Sequence, residues 1–362
     1  MTSWTRPARI PTATSVSRLP RPRPAAKIAP VETSALVSTG TALLAGLCFG
    51  YCAQRGGFCL TRALSNWALM GDTAIMRAYV LALLVAIVGV HVLELGLVES
   101  IPIRPFRWLA NLTGGFVFGV GMILGGGCAG SSWYRLGEGA LGAWVVLAGF
   151  AVGASAANVG MLQSLRTTLQ EFEYEVNGGP ATLHGVLGLS PWLVIGVLVV
   201  ILGVWLLRNR PEEDEHGKWR WPVTGAVMGL VIVLGWYLSS LGGTPTGITF
   251  AANTGHLLTY PMVGYPNRIS WGMVLVVGVA IGAALAAWQT GQFAWKPVPG
   301  FTVAKLFAGG LIMGAGALVA DGCNITQGLT NSATLALGSL TAFAAMLAGG
   351  WVALSVLFSP RG

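Results

Sequence analysis

The sequence predicts an all-α integral membrane protein of about nine transmembrane helices and four short re-entrant helices, arranged as an inverted-topology repeat. Three observations carry this. The 362 residues are 54% hydrophobic and only 9% charged, where a soluble domain has roughly a quarter charged. Nine apolar runs approach or exceed the roughly 20 residues needed to cross a bilayer. A string of glycines and apolar residues occurs twice, as GGFVFGVGMILGGGC ending at Cys128 and GGLIMGAGALVADGC ending at Cys323, at a fixed offset of 195 residues.

The chain opens with a basic tail, residues 1–33, that carries Arg6, Arg9, Arg18, Arg21, Arg23 and Lys27 among Pro, Ser and Thr, with no acid before Glu32. Such a composition favours disorder on a membrane surface. It has no apolar core of its own and is not read as a signal peptide. It supplies much of the net charge of +8, so nucleic-acid binding is not needed to explain that charge.

The first repeat, 34–161, begins with a span at 34–53. The segment 57–70 (GFCLTRALSNWALM) is too apolar for an aqueous loop and too short to cross. Spans follow at 75–99 and 108–127, then a second short segment at 129–138 (AGSSWYRLGE) and a span at 139–161. A linker, 162–220, holds one connecting span at 190–208. The second repeat, 221–358, runs in the same order: 221–240, short 247–258, 269–288, 302–320, short 323–336 and 337–358. Broken backbone is tolerated at membrane depth only where protein or a water-filled cavity surrounds it, which suits short re-entrant helices. Four spans, a connector and four more bring the second copy into the membrane from the opposite side. Transporters built this way place substrate near the midplane, where discontinuous helices meet. The positive-inside rule leaves the orientation open: the two faces nearly tie with the tail counted, and the N-terminus falls outside without it.

Glycine makes up 52 of the 362 residues. Small-xxx-small spacings such as Gly115-xxx-Gly119 and Gly310-xxx-Gly314 allow helix backbones to approach closely in lipid. Gly56–Gly57 and Gly125–Gly127 differ, because an apolar run breaks there and a cysteine follows. Bare N–H groups at such a break could hold an anion, as helix N-termini do. The five cysteines are an odd number for a disulfide framework. Cys48 and Cys52, four apart on the first span, fit packing. Cys59, Cys128 and Cys323 each begin or lie in a broken element after glycine, which points to function. A neutral thiol is soft, donates a weak hydrogen bond and adds no buried charge. Weak sites in series are what conduction requires.

GLCFGYCAQRGGFCLTRAL, GGGCAG at Gly125–Gly130 and DGCNITQGL at Asp321–Leu329 together resemble the YeeE/YedE sulfur-transport family over 34–358. The resemblance implies an inverted repeat of nine spans and four short helices that carries a sulfur anion, thiosulfate foremost. It also implies three essential cysteines that pass the anion along by S–H to sulfur contacts, here Cys59 in RGGFC, Cys128 in GGGC and Cys323 in DGC. The basic tail and the charged loop at 208–220 depart from the pattern.

Supporting positions follow. Arg55 either draws a dianion to a cavity mouth or snorkels to the surface. Gly57, Gly127 and Gly322 offer bare backbone beside the thiols. Ser131 and Thr326 match at the repeat offset and, with Asn324 and Gln327, either donate to sulfonate oxygens or satisfy broken backbone. Thr249 stands where the first repeat has Cys59. Asp321 is an intramembrane carboxylate, functional by default, on a path meant for anions; protonation, a backbone cap and proton coupling are all open. His91 and Glu94 have the spacing of a structural pair.

The expected protein is a multi-pass transporter or channel-like permease of a bacterial inner membrane, not an enzyme, with no cofactor and no metal. Its partners are a small sulfur anion, the bilayer and a candidate soluble sulfur carrier. Two alternatives remain from the residues. A membrane sulfurtransferase would use a Cys persulfide, for which only Cys59 near Arg55 and Arg62 qualifies. A soft-metal transporter would use thiolates, against which stand the absence of a CxxC, a Met-rich run or a His cluster. With no Walker-type loop, direct ATP drive by this chain is not expected.

Overall fold

The computed structural model describes residues 31–98, 101–176, 179–208, 217–263 and 269–358. The basic tail up to residue 30 and residues 209–216 of the charged loop lie outside the described residues. In chain order the elements are α1 (Val31–Gly56), α2 (Leu60–Met70), α3 (Ala74–Glu94), β1 (Phe106–Arg107), α4 (Trp108–Leu124), α5 (Ala129–Gly137), α6 (Leu141–Asn158), α7 (Gln163–Gln170), β2 (Glu173–Val176), β3 (Gly179–Pro180), α8 (Leu183–Leu187), α9 (Pro191–Leu207), α10 (Trp221–Leu241), α11 (Ala251–Val263), α12 (Trp271–Gln289), α13 (Gly300–Val319) and α14 (Leu337–Phe358). Between α13 and α14 lie one π-helical turn, Thr326–Asn331, and a 3₁₀ turn, Ser332–Thr334.

The chain is an all-α multi-pass membrane protein. Among the described residues eight helical stretches, built on α1, α3, α4, α6, α10, α12, α13 and α14, are long and apolar enough to cross, and α9 is a shorter ninth. Helix starts follow local chemistry. Proline sits in the first turn of α9 and α10, where a missing N–H costs nothing. The Ser270 hydroxyl accepts from Met273 N–H at 3.3 Å and caps α12. Buried Arg77 of α3 donates to the Leu206 carbonyl at the end of α9 at 2.8 Å and lies over the Trp205 ring. That bond satisfies one of the carbonyls a helix end leaves open.

Long helices pack in pairs that exchange between the halves. α1 packs on α12 as α10 packs on α3, and α4 packs on α14 as α13 packs on α6; α1 also meets α10, and α4 meets α13. The short elements obey the same exchange, with α5 against α12 as the π turn lies against α3, and α2 against α14 as α11 lies against α6. Glycine sets these distances. A Cβ on Gly119 would run into the Met346 carbonyl of α14, and one on Gly314 into the Phe150 carbonyl of α6. Such backbone-to-backbone contact is how helices associate where lipid gives no hydrophobic drive.

The connection at 162–189 is more structured than a linker. β1, β2 and β3 form a small antiparallel sheet with Phe106 opposite Tyr174 and Glu175 opposite Pro180. From α7, the Gln170 side chain donates to the Leu318 and Val319 carbonyls at 3.2 and 3.1 Å, which caps the end of α13. His91 is buried and bonds to the Ile87 carbonyl at 2.9 Å, so the spaced pair with Glu94 does not form.

Candidate functional site

Each of the three buried cysteines stands between a backbone corner and a short helix. The corners need a left-handed conformation, and Gly57 (φ 58°), Gly126 (φ 65°) and Gly247 (φ 61°) supply it without a Cβ penalty. Asp321 holds the fourth corner at φ 60°, a conformation Asp tolerates better than most residues. Cys59 and Cys128 are the N-cap residues of α2 and α5, both extended, and Cys323 opens the helical segment that becomes the π turn. The chain therefore has four such breaks, three of which lead into a thiol. The fourth leads into Thr249, whose hydroxyl accepts from Asn253 Nδ2 at 2.8 Å.

The thiols share hydroxyl and backbone partners. Cys59, Cys128 and Cys323 belong to one buried cluster. Cys128 Sγ accepts from Ser131 N–H at 3.4 Å, and Ser131 Oγ donates to the Cys128 carbonyl at 3.0 Å. Cys323 Sγ lies 3.4 Å from Thr326 Oγ1, so the two residues matched at the repeat offset make matching contacts. Sequence reasoning missed Tyr79 of α3. Its buried hydroxyl donates to the Asn324 carbonyl at 2.7 Å, one residue from Cys323. A tyrosine inside an apolar run gave no other signal.

Two cavities approach this cluster from opposite ends. One, of about 710 Å³, is lined by Cys59, Gly57, Arg62, Arg135, Lys218 and Lys296 among others. The second, of about 250 Å³, is lined by Arg104, Thr249, Asn253, Asp321, Gly322 and Thr326 among others. Lys218 and Gln292 of the first precede α10 and follow α12, whereas Thr244 and Ser270 of the second follow α10 and precede α12. The cavities thus sit at opposite ends of two helices of 21 and 19 residues, close to 30 Å at 1.5 Å per residue. Cys59 lines the first, Thr326 beside Cys323 lines the second, and the buried Cys128, Ser131, Asn324 and Cys323 line neither.

A family model described as sulphur transport matches residues 55–352. The chain belongs to the sulphur transport family. It is 33% identical over 330 residues to "Thiosulfate transporter TsuA" of Spirochaeta thermophila, covering 88% of this chain and 98% of that protein. It is 30% identical over 329 residues to the protein of the same name in Escherichia coli K12, covering 86% and 92%. A shorter stretch of 119 residues is 30% identical to "Probable transporter YedE" of E. coli K12, covering 32% of this chain and 28% of that protein.

In this sulphur transport family member the other expected positions divide. Gly127 and Gly322 leave no room for a side chain: a Cβ would press on the Ser131 hydroxyl or on Thr326 and Gln327. Gln327 is occupied, donating to the Ala320 carbonyl and accepting from Ser339 Oγ at 2.7 Å; it holds the broken backbone. Arg55 lies over the Trp219 ring, 5.9 Å from its centre, and does not line the larger cavity. The basic lining comes instead from Arg62, Arg135, Lys218 and Lys296. Arg135 donates to the Gly126 carbonyl at 2.8 Å, and Lys218 donates to Gln54 and Gln292 and pairs with Glu138 at 3.8 Å. Asp321 meets Arg104 at 3.2 Å at the other mouth. Cys48 and Cys52 are half-buried and pack against the core. Among the described residues no three His, Cys, Asp or Glu side chains gather as a metal would need.

Proposed function

We propose that the protein passes thiosulfate, or a closely related sulfur anion, across the membrane along Cys59, Cys128 and Cys323. The observation that carries this is the buried thiol cluster held between two cavities at opposite ends of α10 and α12. The relatives' name, thiosulfate transporter, supports the substrate. A basic cavity concentrates the anion. The Cys59 thiol then meets its terminal sulfur through a weak S–H contact, while N–H groups and hydroxyls at the helix starts meet its oxygens. Each thiol binds weakly, so the anion can leave for the next.

The two halves lie inverted in the membrane on this reading. Support comes from the exchange of helix pairs between them and from α9, which adds one passage between the copies. Passage over weak sites is reversible, so the reading includes a soluble sulfur carrier that draws the anion off at one face. The test is uptake of labelled thiosulfate, sulfite, selenite and sulfate into vesicles that hold the protein. Thiosulfate uptake is expected, with loss of it in Cys128→Ala and in Cys323→Ala. Normal uptake by both variants overturns the cysteine path.

A further inference from the structure

We infer that the Asn324 carboxamide is the oxyanion-binding group at the middle of the path, and that Tyr79 is the residue that positions it. The inference rests on the sulfur-anion reading above and deepens it.

Asn324 is fully buried, yet neither its Nδ2 nor its Oδ1 has a hydrogen-bond partner among the described residues. Its neighbours are all engaged. Thr326 contacts Cys323 Sγ, Gln327 bonds to Ala320 and Ser339, and Thr330 donates to the Ile248 carbonyl at 2.8 Å. Asn331 and Ser332 donate to Gln327, and Thr334 donates to the Asn331 carbonyl. A segment that satisfies every other polar side chain and leaves one amide open is not loosely built. An open buried amide needs a cause, and a leucine of similar size would serve the fold better.

The amide stands where an anion must pass. It follows Cys323 directly, and its own carbonyl takes the buried Tyr79 hydroxyl at 2.7 Å. Tyr79 cannot swing. Its ring is stacked between Phe58, at 5.2 Å and 6°, and Phe343, at 5.4 Å and 5°. Phe58 precedes Cys59, so the stack ties the Cys59 break to the Asn324 segment. The chemistry fits an anion that has a soft end and an oxygen end. A neutral NH₂ offers two donors to sulfonate oxygens without the tight hold of a lysine, while the thiols take the terminal sulfur.

Asn324→Leu removes the amide, and Tyr79→Phe removes only the hydroxyl and keeps the stack. Asn324→Leu is expected to unfold in detergent at or above the wild-type temperature while its KM for thiosulfate rises about tenfold or more, the loss of one hydrogen bond to a charged group. Tyr79→Phe is expected to raise KM severalfold with Vmax less affected, and to lower the unfolding temperature by no more than the loss of one buried hydrogen bond. A wild-type KM in both variants overturns the inference. A binding assay keeps it testable apart from transport: thiosulfate, sulfite or sulfate should raise the unfolding temperature of the wild type and not of Asn324→Leu. Equal shifts in the two proteins, or none in the wild type, overturn the amide site. Wild type that takes up no thiosulfate but shows the shift overturns the transport reading alone.

Discussion

Asp321 occupies a backbone corner that Gly126 fills without a side chain in the other half, at nearly the same φ. The left-handed conformation costs an L-residue about 1–2 kcal/mol, less for Asp than for most. The pair with Arg104 does not repay this in stability, because both side chains are about a third exposed or more and such pairs contribute about 0–1 kcal/mol. Asp321→Gly should therefore unfold at or slightly above the wild-type temperature, and Asp321→Ala about 1 kcal/mol below Asp321→Gly. Thermal unfolding of the two variants in detergent checks the order; Ala as stable as Gly would remove the strain argument. At this scale the sequence was readable where chemistry and backbone coincide. Cys59, Cys128 and Cys323 come within two residues of a glycine at breaks in apolar runs, and all three lie at helix starts. Tyr79 was not readable, since its role comes from two rings that flank it in space, one of them 264 positions further on.

Helices here are spaced by glycine, and the energetics differ from one glycine to the next. Gly119→Ala and Gly314→Ala would drive a methyl into the carbonyl of a facing helix, and overpacking of this kind costs about 1–3 kcal/mol. Gly196 of α9 has open space at the same position, so Gly196→Ala should leave stability unchanged or slightly improved. Unfolding of the three variants tests this, and equal effects would show that the glycines do not set the helix distances. Hydropathy located the long helices well; for α14 the expected 337–358 is the observed range. It gave nothing for β1, β2 and β3, which are two to four residues long and buried at no position. Alternation needs a longer run to show. The π turn was equally hidden, because its cause is the set of side-chain bonds around Gln327 rather than any local propensity.

Over the whole molecule, the two cavities make the thiols unequally accessible. Cys59 borders the larger cavity, while Cys128 and Cys323 line neither. In a chain carrying Cys48→Ala and Cys52→Ala, a small membrane-impermeant thiol reagent should modify Cys59 from one face of the vesicle only and leave Cys128 and Cys323 intact. Mass spectrometry after labelling from each face decides it, and equal reaction from both faces would mean that the cavity is open through the membrane. The same arrangement has an electrical consequence. Solvent that enters from both ends carries the bulk potential inward, so the membrane voltage is concentrated across the buried layer of thiols, amide and hydroxyls that neither cavity reaches. A dianion crossing alone exchanges about 4.6 kcal/mol with a field of 100 mV, twice the value for one charge. On the proposed path that work is done where neither cavity reaches, which makes the buried cluster its voltage-sensitive step.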